Sequence, residues 1–98
     1  MKNLSILGST GSIGRNVLEI VEMFPQKFAA KALAAKKNVS LLARQIEKFR
    51  PELAVVYDER RARALKELLP SGSRVDILYG DEGYRTAATH DAVNVTVT

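Results

Sequence analysis

Ninety-eight residues with a net charge of +4 and no cysteine have room for one small domain, and exclude a disulfide scaffold or a thiolate metal site. A hydrophobic share of 46% and a charged share of 27% are ordinary for a soluble globular chain, no apolar run approaches a membrane span, and the N-terminus lacks a signal-peptide pattern. The positive charge is dispersed over Lys27, Lys31, Lys36, Lys37, Arg44, Lys48, Arg50, Arg60, Arg61 and Arg63, the pattern of solvated helix faces and turns, so nucleic acid is not expected as a partner; with no apolar span and no cysteine, no membrane partner and a cytoplasmic location are expected.

The chain opens with an apolar strand over about Asn3–Leu7. Gly8, Gly11 and Gly14 follow at a spacing of three, a G-x-x-G-x-x-G variant of the dinucleotide fingerprint. In that reading Gly8 reverses the chain off the strand, Gly11 lets a pyrophosphate approach bare backbone, and Gly14 lets a helix pack closely on the strand. The helix, about Ser12 to Phe24, aims its free N–H groups and positive dipole end at the phosphates. Its apolar residues Ile13, Val17, Ile20, Val21 and Phe24 are expected on the inward face, and Pro25 stops it. The missing Gly-Lys-Ser/Thr ending argues against a P-loop for ATP or GTP.

A second strand is expected over Phe28–Ala35, poor in intrinsic propensity because of its alanines and dependent on its βαβ context. Asn38 caps a second helix, about Val39–Phe49, with Leu42, Ile46 and Phe49 as its seam. A third strand is expected at Leu53–Tyr57. Asp58 then caps a third helix, about Glu59–Leu69, with Ala62, Leu65, Leu68 and Leu69 inward. A fourth strand at Val75–Tyr79, a short helix at about Asp81–Thr89 and a fifth strand at Ala92–Thr98 complete the pattern. Alternating strands and helices imply a parallel sheet with right-handed crossovers, an α/β fold of the Rossmann-like, doubly wound kind. The sequence stops in a strand that such a sheet normally continues into another helix. Residues 1–98 are therefore expected to be an N-terminal part of something larger, a sheet incomplete at its C-terminus.

An NAD site usually places an acid after the second strand to hold the ribose hydroxyls. Here that place reads Ala34-Ala35-Lys36-Lys37-Asn38. Ammonium groups attract an adenosine 2′-phosphate and no carboxylate repels it, so NADP(H) is favoured over NAD(H). The bland alternative for Lys36 and Lys37 is a solvated turn, and for Asn38 a helix cap alone. His90, the single histidine, is expected to be a turn residue, and Asp58-Glu59 and Asp81-Glu82 to serve helix starts rather than acid–base chemistry. No metal-ligand spacing and no Tyr-x-x-x-Lys dyad involving Tyr57, Tyr79 or Tyr84 is present, so no catalytic and no metal residue is assigned.

The run from Met1 to Gly14, with its Gly-Ser-Thr-Gly-Ser-Ile-Gly string, closely resembles the opening of the 1-deoxy-D-xylulose 5-phosphate reductoisomerases. So do Leu18 to Val21, Pro25, Phe28, Ala32 to Ala35, Asn38-Val39, Leu42, Gln45, Phe49, Pro51, Asp58-Glu59, Leu65, Gly80 and Asp91 to Val93. The resemblance implies a family that rearranges and reduces its sugar phosphate with NADPH to 2-C-methyl-D-erythritol 4-phosphate, in the non-mevalonate route to isoprenoid precursors. It also implies Mg²⁺ or Mn²⁺ and a homodimer. Nucleotide-contacting positions of the family match Thr10, Gly11, Ser12 and Ile13, and Lys36, Lys37 and Asn38; many members have glycine at Lys36. The metal, substrate-phosphate and active-site-loop residues of the family fall beyond residue 98, so the piece alone is expected to be inactive. The tail Asn94–Thr98 departs from the family's run of small apolar residues. Two rival readings stand beside this one, another NADP-dependent dehydrogenase, for instance of the semialdehyde dehydrogenase type, and a non-catalytic NADP(H) sensor.

Overall fold

Leu4, Ser5 and Ile6 are buried in succession, as in a strand covered on both faces, and they belong to an interior strand of the sheet, β1 (Lys2–Leu7). The computed structural model describes residues 1–98. After β1 come α1 (Ser12–Met23), β2 (Phe28–Ala34), α2 (Val39–Phe49), β3 (Leu53–Val56), α3 (Glu59–Leu68), β4 (Asp76–Tyr79), α4 (Gly80–Ala88) and β5 (Val95–Val97). All pairings are parallel and the order across the sheet is β4-β3-β2-β1-β5. The expected α/β, doubly wound sheet is present. The first three crossovers step outward from β1; the fourth, through α4, returns across the sheet to its other side.

The two faces of the sheet are filled unequally. Leu4, Ile6, Leu33, Ala54 and Val56 form one core with Leu18 and Val21 of α1, Leu42, Ala43 and Ile46 of α2, and Ala62 and Leu65 of α3. Ala32, Ala34, Leu53 and Val55 form the other, smaller core with Ala87 of α4. Each fully buried leucine, isoleucine or valine contributes about 1.5–3 kcal/mol over an exposed one. The alanines that make β2 a poor strand by propensity are what its position requires. Ala32 and Ala34 are wholly buried in the core that Ala87 of α4 completes, and their small size lets α4 lie close. A Cβ on Gly83 would stand 2.8 Å from Val55 Cγ1, so α4 is seated on β3 through a bare backbone. Between Leu4 and Ser5 the β1–β2 register shifts by one, with Lys31 as the extra residue of a bulge; its ammonium lies 3.3 Å from Glu52.

Most elements match their expected extents within a residue or two, and two differences are physical. β5 is three residues long rather than seven, because Val93 N–H closes a turn onto the His90 carbonyl and only Asn94 onward reaches β1. Asn94 starts the pairing by exchanging its N–H and Oδ1 with the Asn3 backbone, 2.8 Å each. α1 is rotated from the expected face. Its inward residues are Gly14, Val17, Leu18 and Val21, an i, i+3, i+4, i+7 seam, while Ile13, Ile20 and Phe24 are 65, 47 and 41% exposed. Leu68, expected inward on α3, is likewise half exposed, while Leu69 packs on the core as expected.

Asn38 and Asp58 cap α2 and α3 as expected, accepting from Leu41 N–H at 3.2 Å and Arg61 N–H at 2.9 Å. The Arg61 N–H bond, and then the positive charges of Arg61 and Arg60, hold the Asp58 carboxyl below its ordinary value of 3.8. Its stabilisation of α3 is therefore complete above pH 3.8 and is lost as the pH falls through the lower value of the folded state. Asp58→Ala should lower the melting temperature near neutral pH, with the gap from the parent narrowing in strong acid; pH-dependent thermal unfolding checks this. Gly14→Ala should destabilise by about 3 kcal/mol in denaturant unfolding, because its Cβ would stand 2.2 Å from the Gly8 carbonyl oxygen.

Candidate functional site

The glycine turn is tied down on three sides. Gly8, at φ +100°, turns the chain off β1, a conformation that disfavours any residue with a Cβ. Its N–H and that of Ser9 both donate to the Ala34 carbonyl at the end of β2, 2.7 and 2.9 Å away, and Gly11 N–H closes the turn onto Gly8 O at 3.1 Å. Gln45 of α2, 6% exposed, donates its side-chain Nε2–H to the Ser9 carbonyl at 2.8 Å. Gly14 then brings α1 against the turn so closely that only hydrogen fits on its α-carbon.

The N-terminus of α1 is left open. Its N-cap is Gly11, extended at φ −80°, with no side-chain cap and no acid in the first turn. The N–H groups of Ser12, Ile13 and Gly14 have no partner in the protein; the first helical bond is Arg15 N–H to Gly11 O, 2.9 Å. They face a cleft of about 200 Å³ lined by Ile6, Leu7, Gly8, Gly11, Ser12, Ile13, Gly14, Val97 and Thr98. That cleft lies between the C-terminal ends of β1 and β5, where the strand order reverses direction, the usual ligand position of a doubly wound sheet. A Cβ on Gly11 would touch nothing nearer than Gly8 O at 3.5 Å, so its bare face is not demanded by the protein's own packing. Ile13, exposed, lines the cleft instead of the core.

Thr10 flanks the turn but does not line the cleft, and neither do Lys36, Lys37 and Asn38, which follow β2 at the same edge of the sheet. Both lysines are exposed and neither is ion-paired. Lys37 Nζ stands 5.9 Å from the Tyr57 ring, and Arg61 5.7 Å from the same ring, so an aromatic and a second cation adjoin the lysine pair. Asn38 spends its Oδ1 on the α2 cap and keeps its amide N–H groups. No carboxylate stands in the segment that joins β2 to α2. The nearest in chain order past β3, Asp58, is paired with Arg61. From the opposite face of the sheet the Tyr84 hydroxyl donates to Ala35 O at 3.0 Å, and burial, with the Asp81 charge next, pushes its ionisation up, so the phenol keeps its proton.

His90 lies at the other, N-terminal edge, its Nδ1 accepting from Ala92 N–H and its Nε2 3.9 Å from Glu52, in a turn as expected. Asp81 and Glu82 occupy the first turn of α4 without a side-chain cap. No three His, Asp or Glu side chains gather as a metal would need. Two residues of the site were not singled out from sequence for any role there. Gln45 is a polar residue inside an apolar helix seam, which is the signal that finds it. Arg15 places its Nε 3.4 Å from Gly11 O, a cation beside the open helix end.

The family model for 1-deoxy-D-xylulose 5-phosphate reductoisomerase matches residues 4–98. Among curated relatives, the 1-deoxy-D-xylulose 5-phosphate reductoisomerases of Trichlorobacter lovleyi and Desulfosudis oleivorans are 52 and 48% identical over 97 residues, covering 99% of this chain and 25% of theirs. Among solved structures, the reductoisomerase from Zymomonas mobilis in complex with NADPH superposes with a TM-score of 0.84 at 33% identity, over 93% of this chain and 24% of that one. A DOX-P reductoisomerase in complex with magnesium gives 0.88 at 28% identity, over 98 and 24%. The chain thus spans about a quarter of the length of the relatives it matches. With sequence and backbone agreeing from the first strand to the last, the chain belongs to the 1-deoxy-D-xylulose 5-phosphate reductoisomerase family.

Proposed function

We propose that residues 1–98 are the NADPH-binding domain of a reductoisomerase that converts 1-deoxy-D-xylulose 5-phosphate to 2-C-methyl-D-erythritol 4-phosphate, acting as a homodimer with Mg²⁺ or Mn²⁺. The observation that carries the cofactor reading is the uncapped start of α1, with three unpartnered N–H groups facing the cleft beside β1. Backbone donors and the dipole end suit a pyrophosphate there. The Thr10 and Ser12 hydroxyls add donors, and Gly8, Gly11 and Gly14 supply the turn, the bare approach and the helix seat. Lys36, Lys37 and the free amide of Asn38 would hold the adenosine 2′-phosphate, with no acid to oppose it.

When bound, NADPH supplies the hydride; the chain's part is to orient it. Ile13 and Val97 give the cleft its apolar walls. The metal would be held by residues outside this stretch, since no three His, Asp or Glu side chains gather here. The sensor and semialdehyde dehydrogenase readings are not favoured, because the family match runs far past the glycine turn.

Two substitutions separate the halves of the site. Gly11→Ala should leave thermal unfolding almost unchanged, since its φ and its surroundings admit a methyl group, yet weaken NADPH by about tenfold or more in calorimetry by blocking the pyrophosphate. Equal NADPH affinity in the two proteins would remove the turn from the site. Lys36→Ala combined with Lys37→Ala should cost NADPH about tenfold and leave NADH unchanged, and equal losses for the two cofactors would overturn the 2′-phosphate assignment.

A further inference from the structure

We propose that Gln45 is a positioning residue for the pyrophosphate end of the site, reaching it from the same helix, α2, that starts beside the two lysines. The proposal deepens the NADPH reading above and rests on it for its ligand. Asn38, beside the two lysines, caps the N-terminus of α2. Gln45 lies seven positions on, about 10 Å along the helix axis, on the inward side. There its amide crosses to the glycine turn and donates to Ser9 O at 2.8 Å, a link between residues 36 apart in sequence.

The economics of burial point the same way. Gln45 is the one buried polar residue of the four helices; Ser5 and Ser9 are the others in the core. Its Oε1 and the Ser9 hydroxyl have no protein partner. A buried amide with one unanswered oxygen is costly, and a methionine would fill the same space without that cost. What the glutamine adds is a fixed position for the Ser9 carbonyl. With Ser9 N–H already held by Ala34 O, both ends of that residue are anchored, and the Ser9–Gly11 backbone is held in the shape that faces the phosphates. A turn held before the ligand arrives loses less entropy on binding.

The test uses Gln45→Met, which keeps volume and removes the donor, with NADPH and adenosine 2′-monophosphate as probes in calorimetry. A positioning role predicts NADPH weakened about tenfold with adenosine 2′-monophosphate, which lacks the pyrophosphate, within about twofold. Equal losses for both probes, or none for NADPH, overturn it. Amide hydrogen exchange on the free proteins gives an arm that needs no ligand. Exchange at Gly8, Ser9 and Gly11 should quicken in Gln45→Met while β3 and α3 stay as they were; an unchanged turn overturns the proposal. Where Gln45→Met does not fold, the unsubstituted protein decides. The Gln45 side-chain amide protons should exchange slowly and shift on titration with NADPH but not with adenosine 2′-monophosphate, and fast exchange with no response overturns it. If the unsubstituted protein binds no NADPH, the cofactor reading fails by itself, and the exchange arm still decides whether Gln45 holds the turn.

Discussion

The contact between Gly14 and the Gly8 carbonyl is the constraint on which the rest of the structure depends. A helix that follows a strand through so short a turn can either stand off from it, leaving a gap, or lie against it with nothing but hydrogen between. The second arrangement sets the rotation of α1 about its axis. Once Gly14 faces the turn, Val17, Leu18 and Val21 must face the sheet, and Ile13 must face the cleft. It also fixes where the first three N–H groups of the helix point. Core packing and the direction of the helix's free N–H groups are here consequences of one close approach.

This explains which parts of the fold were legible in the sequence. The alternation of strands and helices, the parallel sheet, the caps at Asn38 and Asp58 and the glycine turn all carry local signals, and all are present. The face of α1 was misplaced because hydrophobicity gives no weight to glycine, and the residue that orients the helix has no side chain. Ile20 and Phe24 look inward by periodicity but lie on the outer flank. The shortness of β5 was hidden for a similar reason, since its start is set by an Asn94–Asn3 exchange across 91 residues rather than by any run of valines.

The candidate site divides along the same line. Its glycines and lysines announce themselves by type and spacing. Gln45 carries only a faint signal, its place between Leu42 and Phe49 on the apolar seam, and the packing alone shows that it is buried and what it meets. Gly83, whose absent side chain lets α4 close on β3 and β4 from the far face, carries none. Tertiary contacts of this kind bear on the site from a distance. They settle how firmly the end of β2 is held, through Tyr84 on one side and the turn amides on the other.

The bulge at Lys31 has a bearing on length variation. Along a parallel strand, successive carbonyls point alternately to the left-hand and right-hand neighbour, so one surplus residue would reverse the parity of everything downstream, and the bulge absorbs it. Ala34 O turns toward Gly8 and Ser9, and Ala35 N–H toward Val55, in the phase that an unbroken strand would give. Loss of that surplus residue would leave Ala30 and Ala32 adjacent and regularly alternating, with both edges where they are, so the strand can shed one codon at the bulge without costing the loop its acceptor.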